Sequence, residues 1–303
     1  MLHKPWSAAP VSRAPAPRTV VTLGLIAAVL AVCTLGGQTP TAAQAQESPS
    51  RFERLENERD NLELQKVPPF KVFDNLYYVG IGHLSSWLVP TSDGLILIDA
   101  LQEPYVDHLI DSIQTLGFDP HDIKYLLVTH AHVDHYGGAA RIQETYGPMV
   151  GMIEGDWDAL ATNPSDRAPV PRRDVVFKDG DTLTLGDTTL TFHALPGHTP
   201  GGLSIEQTVY DAGTPYKAFT LGGVTPRNML RENIAALERI MRIPGIQVNV
   251  PNHPWRGDVH QRAEKLADRK PGEPHPFVAP EEFAALLEEL KAFAEQALAD
   301  ETP

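Results

Sequence analysis

Three histidines and an aspartate fall within the seven residues Thr129-His130-Ala131-His132-Val133-Asp134-His135, directly after the apolar run Tyr125-Leu126-Leu127-Val128. The apolar run predicts a buried strand, and the glycine and alanine residues from 137 to 140 begin a helical pattern. The cluster is therefore expected at a turn from a strand to a helix, where ligand-binding residues collect at the edge of an α/β sheet. A solvated histidine-rich loop is the alternative interpretation, and metal binding is favoured over it.

The chemistry of the cluster favours a metal site because imidazole and carboxylate are both good zinc ligands. Residues i and i+2 of an extended segment face the same way, so His130 and His132 can bind one ion. Asp134 and His135, where the chain turns, can point towards a second ion. Ligand type alone does not fix the metal, so zinc, iron and manganese stay open on this argument.

The motifs along the chain resemble those of the metallo-β-lactamase superfamily. The cluster matches the four named positions of its H-x-H-x-D-H signature, and the segment from Gly197 to Gly201 resembles its G-H-[ST]-P-G loop with His198 as the next ligand. His253 stands where the family has its last histidine, and Asp99 ends a strand pair that resembles the family's first one. The resemblance runs from about residue 73 to residue 277. It implies an α+β fold, a four-layer αβ/βα sandwich with the metal site in a cleft at one edge of its two sheets.

The resemblance also implies a site with two zinc ions. The first ion would be held by His130, His132 and His198, and the second by Asp134, His135 and His253. Three protein ligands leave each zinc an open position, as catalytic zinc requires. Two zinc ions ~3.5–4 Å apart can share a hydroxide, which is the implied nucleophile. Asp134 is expected to orient that nucleophile and is the candidate catalytic residue. For Asp99 the family suggests a contact to the metal loop.

One departure from the family pattern bears on the subclass. Many hydrolases of this superfamily have a Gly-Asp pair after the histidine loop, whose aspartate bridges both metals. Leu221-Gly222-Gly223 has glycine at that place. Together with a second site built without cysteine, this resembles subclass three of the class B β-lactamases. Thr225 and Arg227 are the candidates for binding a substrate carboxylate.

Three functions follow in order of preference. The leading expectation is a zinc-dependent β-lactamase that opens the cyclic amide of a small-molecule substrate. The alternative is a hydrolase of the same superfamily that acts on another ester, lactone or amide. A non-catalytic metal-binding or interaction protein of this fold is disfavoured because all six ligand positions are filled.

The first 45 residues have the layout of a secretory signal peptide. Three basic residues precede the apolar stretch from Val20 to Leu35, and Ala43-Gln44-Ala45 offers a cleavage site with small residues. The mature protein would then be periplasmic or secreted, with no stable membrane association. An uncleaved anchor and lipidation at Cys33, the one cysteine of the sequence, are the alternatives.

Behind the signal peptide, residues 46–67 are predicted to form an N-terminal arm and residues 68–303 the hydrolase domain. Residues 46–303 together have 22 basic and 39 acidic residues, a formal net charge of −17. Such a charge disfavours a nucleic-acid partner, because affinity for phosphate backbones depends on clustered lysine and arginine. The oligomeric state is left open.

Hydrophobic periodicity gives a coarse layout. Helices are predicted over 104–117, 228–243 and 281–298, an antiparallel meander over 172–205 and a surface loop over 265–280. Trp157 could line the cleft or pack in the core. Among the other histidines, His193 is expected to have an ordinary packing role and His83 could line the rim of the cleft. His260 and His275 lie in polar loops, and nothing in the sequence indicates a function for them.

Overall fold

Two β-sheets lie face to face in the computed structural model, which describes residues 49–301. The first sheet has seven strands in chain order: β1 (Phe70–Phe73), β2 (Leu76–Tyr78), β3 (Trp87–Thr91), β4 (Gly94–Ile98), β5 (Ile123–Leu127), β6 (Met149–Ile153) and β7 (Val175–Phe177). Strands β1 to β4 pair antiparallel, and β4 to β7 pair parallel. The parallel strands β4 and β5 are apolar along most of their length because both of their faces are covered.

The second sheet has five strands in the order β12-β11-β10-β9-β8. They are β8 (Thr182–Leu185), β9 (Thr188–Ala194), β10 (Leu203–Asp211), β11 (Thr214–Thr220) and β12 (Ile246–Asn249). All neighbours pair antiparallel except β11 and β12, which are parallel. The shared core between the two sheets contains Trp87 and Ile98 from the first and Phe192 and Ile205 from the second.

Helices cover the outer face of each sheet. They are α1 (Arg51–Asn57), α2 (Leu62–Gln65), α3 (Val106–Thr115), α4 (Val133–Tyr136), α5 (Ala139–Tyr146), α6 (Glu154–Thr162), α7 (Leu230–Met241), α8 (Val259–Ala267) and α9 (Pro280–Glu301). Apolar residues of α3, α5 and α6 pack on the first sheet, and those of α7 and α9 pack on the second. The four layers predicted from the resemblance are confirmed. Within residues 49–301 no helix has the length and apolarity to cross a bilayer.

The predicted meander is wrong at its first strand. Val175 to Phe177 pairs parallel with β6 in the first sheet, and only the strands from Thr182 onward form the antiparallel run. A three-residue apolar run has no alternation that would assign it to either sheet. Trp157 stabilises β7 in the first sheet, because Trp157 is buried and its indole Nε1 donates to the carbonyl of Val175 over 2.8 Å. Trp157 therefore belongs to the core rather than to the cleft.

The predicted surface loop over 265–280 is also partly wrong. Helix α8 extends into it as far as Ala267, and His275 and Phe277 are buried. The His275 ring stacks on Phe73 with 4.1 Å between centroids, and its Nε2 bonds to the carbonyl oxygen of Val72 at 2.9 Å. A buried imidazole with a backbone partner is stable without being a ligand.

The described part of the N-terminal arm packs against the domain. Leu55 of α1 and Gln65 of α2 are both buried. The Gln65 side chain donates to the carbonyl of Leu55 at 2.8 Å, and its Oε1 lies 2.8 Å from Nδ1 of His83. The arm therefore contacts the segment that leads to the candidate site.

Candidate metal centre

Six side chains from three chain segments form two adjacent triads at one edge of the sandwich. Donor atoms of His130, His132 and His198 lie within 4.8 Å of one another, as do those of Asp134, His135 and His253. The two triads adjoin, since the rings of His130 and His135 have centroids 4.1 Å apart. The structure thus brings together all six residues that the sequence analysis grouped as metal ligands.

The first triad joins the loop after β5 to the loop between β9 and β10. Nε2 of His130 lies 3.2 Å from Nδ1 of His132, and the His198 ring centroid is 4.9 Å and 4.6 Å from theirs. The backbone N–H of Leu203 donates to the carbonyl of Thr129 over 2.6 Å, which fixes one loop against the other.

The second triad joins α4 to the segment after β12. The Asp134 carboxylate lies 3.4 Å from Nε2 of His135 and 3.9 Å from Nε2 of His253. Two backbone acceptors hold the His253 segment against the first sheet: the carbonyl of Asn252 accepts from Ser85 N, and that of Pro251 accepts from Trp87 Nε1, both at 3.0 Å.

In four of the five triad histidines, one ring nitrogen is engaged outside the triad. Nδ1 of His198 donates to the carbonyl of Thr225 at 2.7 Å, and Nδ1 of His253 donates to that of His83 at 3.2 Å. Such bonds fix the tautomer and leave Nε2 with a lone pair for a metal. Nδ1 of His135 lies 2.8 Å from Asp99, and Nδ1 of His130 lies 3.1 Å from the Thr129 hydroxyl.

Asp99 organises the loop beneath both triads. Its buried carboxylate accepts from the N–H of Thr129 at 2.7 Å, from the Thr129 hydroxyl at 2.9 Å and from Nδ1 of His135. Because the Thr129 hydroxyl donates to Asp99, it accepts from Nδ1 of His130. A single carboxylate therefore orients one histidine of each triad, which is the contact to the metal loop that the resemblance suggested for Asp99.

The charge state of the triads suits a cation. Burial, followed by the charge of His198, lowers the pKa of His132 to about 4, and burial with the charge of His135 lowers that of His253 to about 3. Both imidazoles are neutral at physiological pH, as metal ligands must be. Burial alone would raise the pKa of Asp134, but the charge and hydrogen bond of His135 lower it well below the usual range.

His135 has the opposite shift. Burial would lower the pKa of His135, yet the charges of Asp134 and Asp99 raise it to about 10. Its Nε2 is buried and makes no well-aligned hydrogen bond within the described residues. The position between Nε2 and Asp134 therefore favours a positive charge, and a metal ion there would replace the proton. The donor set fits zinc in both triads.

Sequence and structure comparisons agree on the family. The sequence profile of the metallo-beta-lactamase superfamily matches residues 79–211. The crystal structure of BJP-1, a subclass B3 metallo-beta-lactamase of Bradyrhizobium japonicum, is 32% identical, and the superposition covers 78% of this chain and 97% of that chain with a TM-score of 0.71. The chain belongs to the metallo-β-lactamase superfamily.

Other similar proteins include a second metallo-beta-lactamase and hydrolases with a different name. The native FEZ-1 metallo-beta-lactamase from Legionella gormanii has 28% identity and a TM-score of 0.72, covering 78% of this chain and 98% of that chain. A hydroxyacylglutathione hydrolase of Acidiphilium cryptum is 28% identical over 116 residues, which are 38% of this chain and 41% of the relative. This chain thus spans about two-fifths of that hydrolase, whereas it spans nearly all of the solved β-lactamases.

Five of the six triad residues, all except the buried His135, line a cleft of about 1130 Å³. Its walls include α6 on one side and the segment from Gly223 to Asn228 on the other. A neighbouring cavity of about 530 Å³ is lined by His83, Asp134 and His253 among others. His83 therefore borders the site, while His193 and His260 belong to neither triad. The ring of His260 bonds through Nε2 to the carbonyl of Gly82 at 2.9 Å.

Two residues at this site were not predicted from the sequence. Asp156 in α6 is fully buried and accepts from the N–H groups of Gly201 and Gly202 at 3.3 and 2.8 Å, which holds the loop that carries His198. Arg256 lines the cleft, donates to the Thr225 hydroxyl at 3.1 Å and stacks over Trp255 at 4.2 Å. No sequence motif marks either residue, because Asp156 is bonded to Gly201 and Gly202 and Arg256 is bonded to Thr225, all of them distant in sequence.

Gly223, which the sequence analysis placed where related hydrolases have a bridging acid, lies against His198 of the first triad. A Cβ added there would lie 2.8 Å from Cβ of His198 and 3.1 Å from its Cδ2. The contact is with the His198 side chain, whose ring is hydrogen-bonded to the carbonyl of Thr225, so His198 has little room to move. Glycine at 223 therefore leaves the space that His198 needs.

We expect Gly223→Ala to displace His198 and to weaken zinc binding at the first triad by about tenfold, as loss of a ligand's support does. Gly223→Asp adds the same Cβ together with a carboxylate that can itself bind metal. Its zinc affinity should therefore exceed that of the alanine variant. Competition with a chromophoric chelator measures the zinc affinity of each variant. Wild-type affinity in both variants would contradict the placement of Gly223.

Proposed function

We propose that this protein is a zinc-dependent β-lactamase that is exported from the cytoplasm. The observation that supports it best is the pair of complete triads, five of whose six residues line one cleft, with glycine rather than an acid at 223. The similarity to solved subclass B3 enzymes along almost their full length adds support. The proposal assigns one zinc ion to each triad.

Different residues of the chain are assigned to metal binding and to orienting the attacking water. Zinc, when bound, lowers the pKa of water and polarises a carbonyl. His130, His132 and His198, which line the cleft, would hold one ion. Oδ2 of Asp134 lies 3.4 Å from Nε2 of His135 and 3.9 Å from Nε2 of His253, and Asp134 also lines the cleft. It is therefore suited to orient the attacking water in addition to holding the second ion.

A substrate carboxylate would be bound on the side of the cleft that carries Thr225 and Arg227. Arg256 adds positive charge to this side of the cleft. One of its N–H groups donates to Thr225, and the others remain available; its buried Nε has no hydrogen-bond partner within residues 49–301. Arginine binds carboxylates with two parallel hydrogen bonds, so it fixes orientation as well as adding affinity.

We expect Arg256→Gln to raise the KM for a β-lactam about tenfold and to change kcat little, because a charged hydrogen bond to the non-reacting carboxylate is present in substrate and transition state alike. Steady-state kinetics measures the two constants. Arg242→Gln, an exposed arginine outside the cleft, is the matched control. A fall in kcat alone would contradict this role for Arg256.

Hydrolysis of nitrocefin with and without a chelator tests the proposed activity. Turnover that is lost with the chelator and restored by zinc supports it, whereas a folded, zinc-loaded protein that does not hydrolyse nitrocefin would contradict it. A hydroxyacylglutathione thioester should be assayed in parallel, because the curated relatives include hydrolases of that name. Turnover of the thioester alone would favour the second candidate, a superfamily hydrolase of esters or thioesters.

The export part of the proposal rests on the first 45 residues, which lie outside the described ones. We infer cleavage between Ala45 and Gln46, because small residues at that site fit a signal peptidase. N-terminal sequencing of protein recovered outside the cytoplasm should begin at Gln46. An intact Met1 or a lipidated Cys33 would contradict it.

A further inference from the structure

The arginines of residues 49–301 are divided between two environments. Eight form ion pairs with carboxylates: Arg51, Arg54, Arg141, Arg172, Arg173, Arg239, Arg262 and Arg269. None of these eight lines the cleft or the neighbouring cavity. Of the six described arginines without such a partner, four do line them: Arg59, Arg167, Arg227 and Arg256. In a chain with an excess of acidic residues, most of the described arginines without a carboxylate partner therefore lie at the site.

The cavity of about 530 Å³, here called the side cavity, opens beside the second triad. Arg59, Val133, Asp134 and His253 line both it and the main cleft, so the two spaces meet at that triad. Arg227 and Arg256 lie on the main cleft only, and Arg167 on the side cavity only. A ligand at the metal centre can therefore extend in two directions.

Arg59 and Arg167 are supported at the side cavity and still have free donors. The hydroxyl of Tyr105 donates to the carbonyl of Arg59 at 3.1 Å, and Arg59 Nε donates to the carbonyl of Glu56 at 3.0 Å. Arg167 donates from one terminal nitrogen to Oε1 of Gln102 at 2.9 Å. A guanidinium has five N–H donors, so both can bind an anion. Both side chains are exposed and can reach a ligand.

The carboxylates around the side cavity do not cancel this charge. Glu103 pairs with Arg141 at 2.9 Å, and Asp134 belongs to the second triad. Asp60 is exposed at the rim and is the remaining acid among the described lining residues. Two arginines therefore face one uncompensated carboxylate, and a second anionic group would balance the excess.

We propose that the side cavity binds a second anionic group of the substrate, through Arg59 of the N-terminal arm and Arg167. The substrates of this enzyme are then dianions, with one carboxylate on the Arg227 and Arg256 side and another anion beyond the second triad. This rests on the proposed function to the extent that the substrate is cleaved at the metal centre. It makes Arg59 and Arg167 specificity residues rather than catalytic ones.

The test uses binding, so that it does not depend on β-lactam turnover. Mercaptoacetate and mercaptosuccinate both have a thiol that binds zinc, and they carry one and two carboxylates. Calorimetry on the zinc-loaded full-length mature protein should give an affinity about tenfold higher for mercaptosuccinate, the size of effect that a charge-assisted hydrogen bond provides. The double variant Arg59→Gln/Arg167→Gln should reduce that preference to about twofold.

Arg242→Gln is the matched control, because it removes the same charge from an exposed arginine that lines neither space. It should keep the wild-type preference. Thermal unfolding of the double variant checks that it is folded, and the two single variants should each lose part of the preference. Equal affinity for both thiols in the wild type, no binding of mercaptosuccinate, or a preference that survives in the double variant would overturn the proposal. Failure to hydrolyse nitrocefin would contradict the β-lactamase activity and leave these affinities unaffected.

Discussion

Replacing His253 with alanine is expected to lower the zinc content from the proposed two ions to about one per chain and to reduce the proposed β-lactam turnover about a thousandfold. His253 is the one ligand of the second triad that does not come from the segment 134–135, and its Nδ1 is already engaged by the carbonyl of His83. Losing one metal removes several kcal/mol of stabilisation of the transition state, and each 1.4 kcal/mol is a tenfold change in rate.

Metal analysis and steady-state kinetics on the same preparation measure both effects. His260→Ala is the control, since that ring is partly buried nearby and bonds to the carbonyl of Gly82 without joining a triad. It should keep two ions and most of the activity. Wild-type metal content and turnover in His253→Ala would mean that another residue completes the second site.

Replacing Asp99 with asparagine is expected to weaken zinc binding by 10- to 100-fold, although Asp99 is buried and lines neither the cleft nor the side cavity. The carboxylate orients His135 directly and His130 through the Thr129 hydroxyl, and loss of such support typically costs about that much metal affinity. Asparagine keeps the size and one oxygen, so the variant should fold. Asp99→Ala leaves the buried N–H and hydroxyl of Thr129 and Nδ1 of His135 without their acceptor, which we expect to lower the free energy of unfolding by about 3 kcal/mol or more.

Chelator competition and chemical unfolding separate the two effects. Asp158→Asn is a suitable control, because it makes the same change at an acid that lines the cleft but pairs with Arg173 at 2.7 Å and belongs to neither triad. It should retain wild-type zinc affinity. If Asp99→Asn also retains it, the orientation of His135 and His130 does not depend on this carboxylate.

The heptapeptide from Thr129 to His135 could be interpreted from the sequence because its chemistry is local. Four ligands lie within six residues, and the strand before them and the helix after them set their direction. His198 and His253 are separated from that cluster by more than 60 and 110 residues, so spacing could not join them to it, and only the family resemblance grouped them. The structure brings their donor atoms into the triads as that resemblance implied.

Other features could not be predicted because they depend on contacts between distant segments. Asp156 has its partners in the loop at Gly201 and Gly202, and Arg59 of the arm reaches the cleft only because α1 and α2 pack on the domain. The strand β7 is too short to show alternation, and its place follows from pairing with β6. His275 resembles a loop histidine in sequence, but it is buried against Phe73.

The zinc content of the purified mature protein tests the two-triad site most directly. Metal analysis after zinc loading and removal of unbound ions should give about two zinc ions per chain, because each triad has three donors with an open position. Circular dichroism on the same sample establishes that the protein is folded. Two ions per folded chain would support both triads, and a ratio well below one in folded protein would contradict the metal centre proposed for this chain.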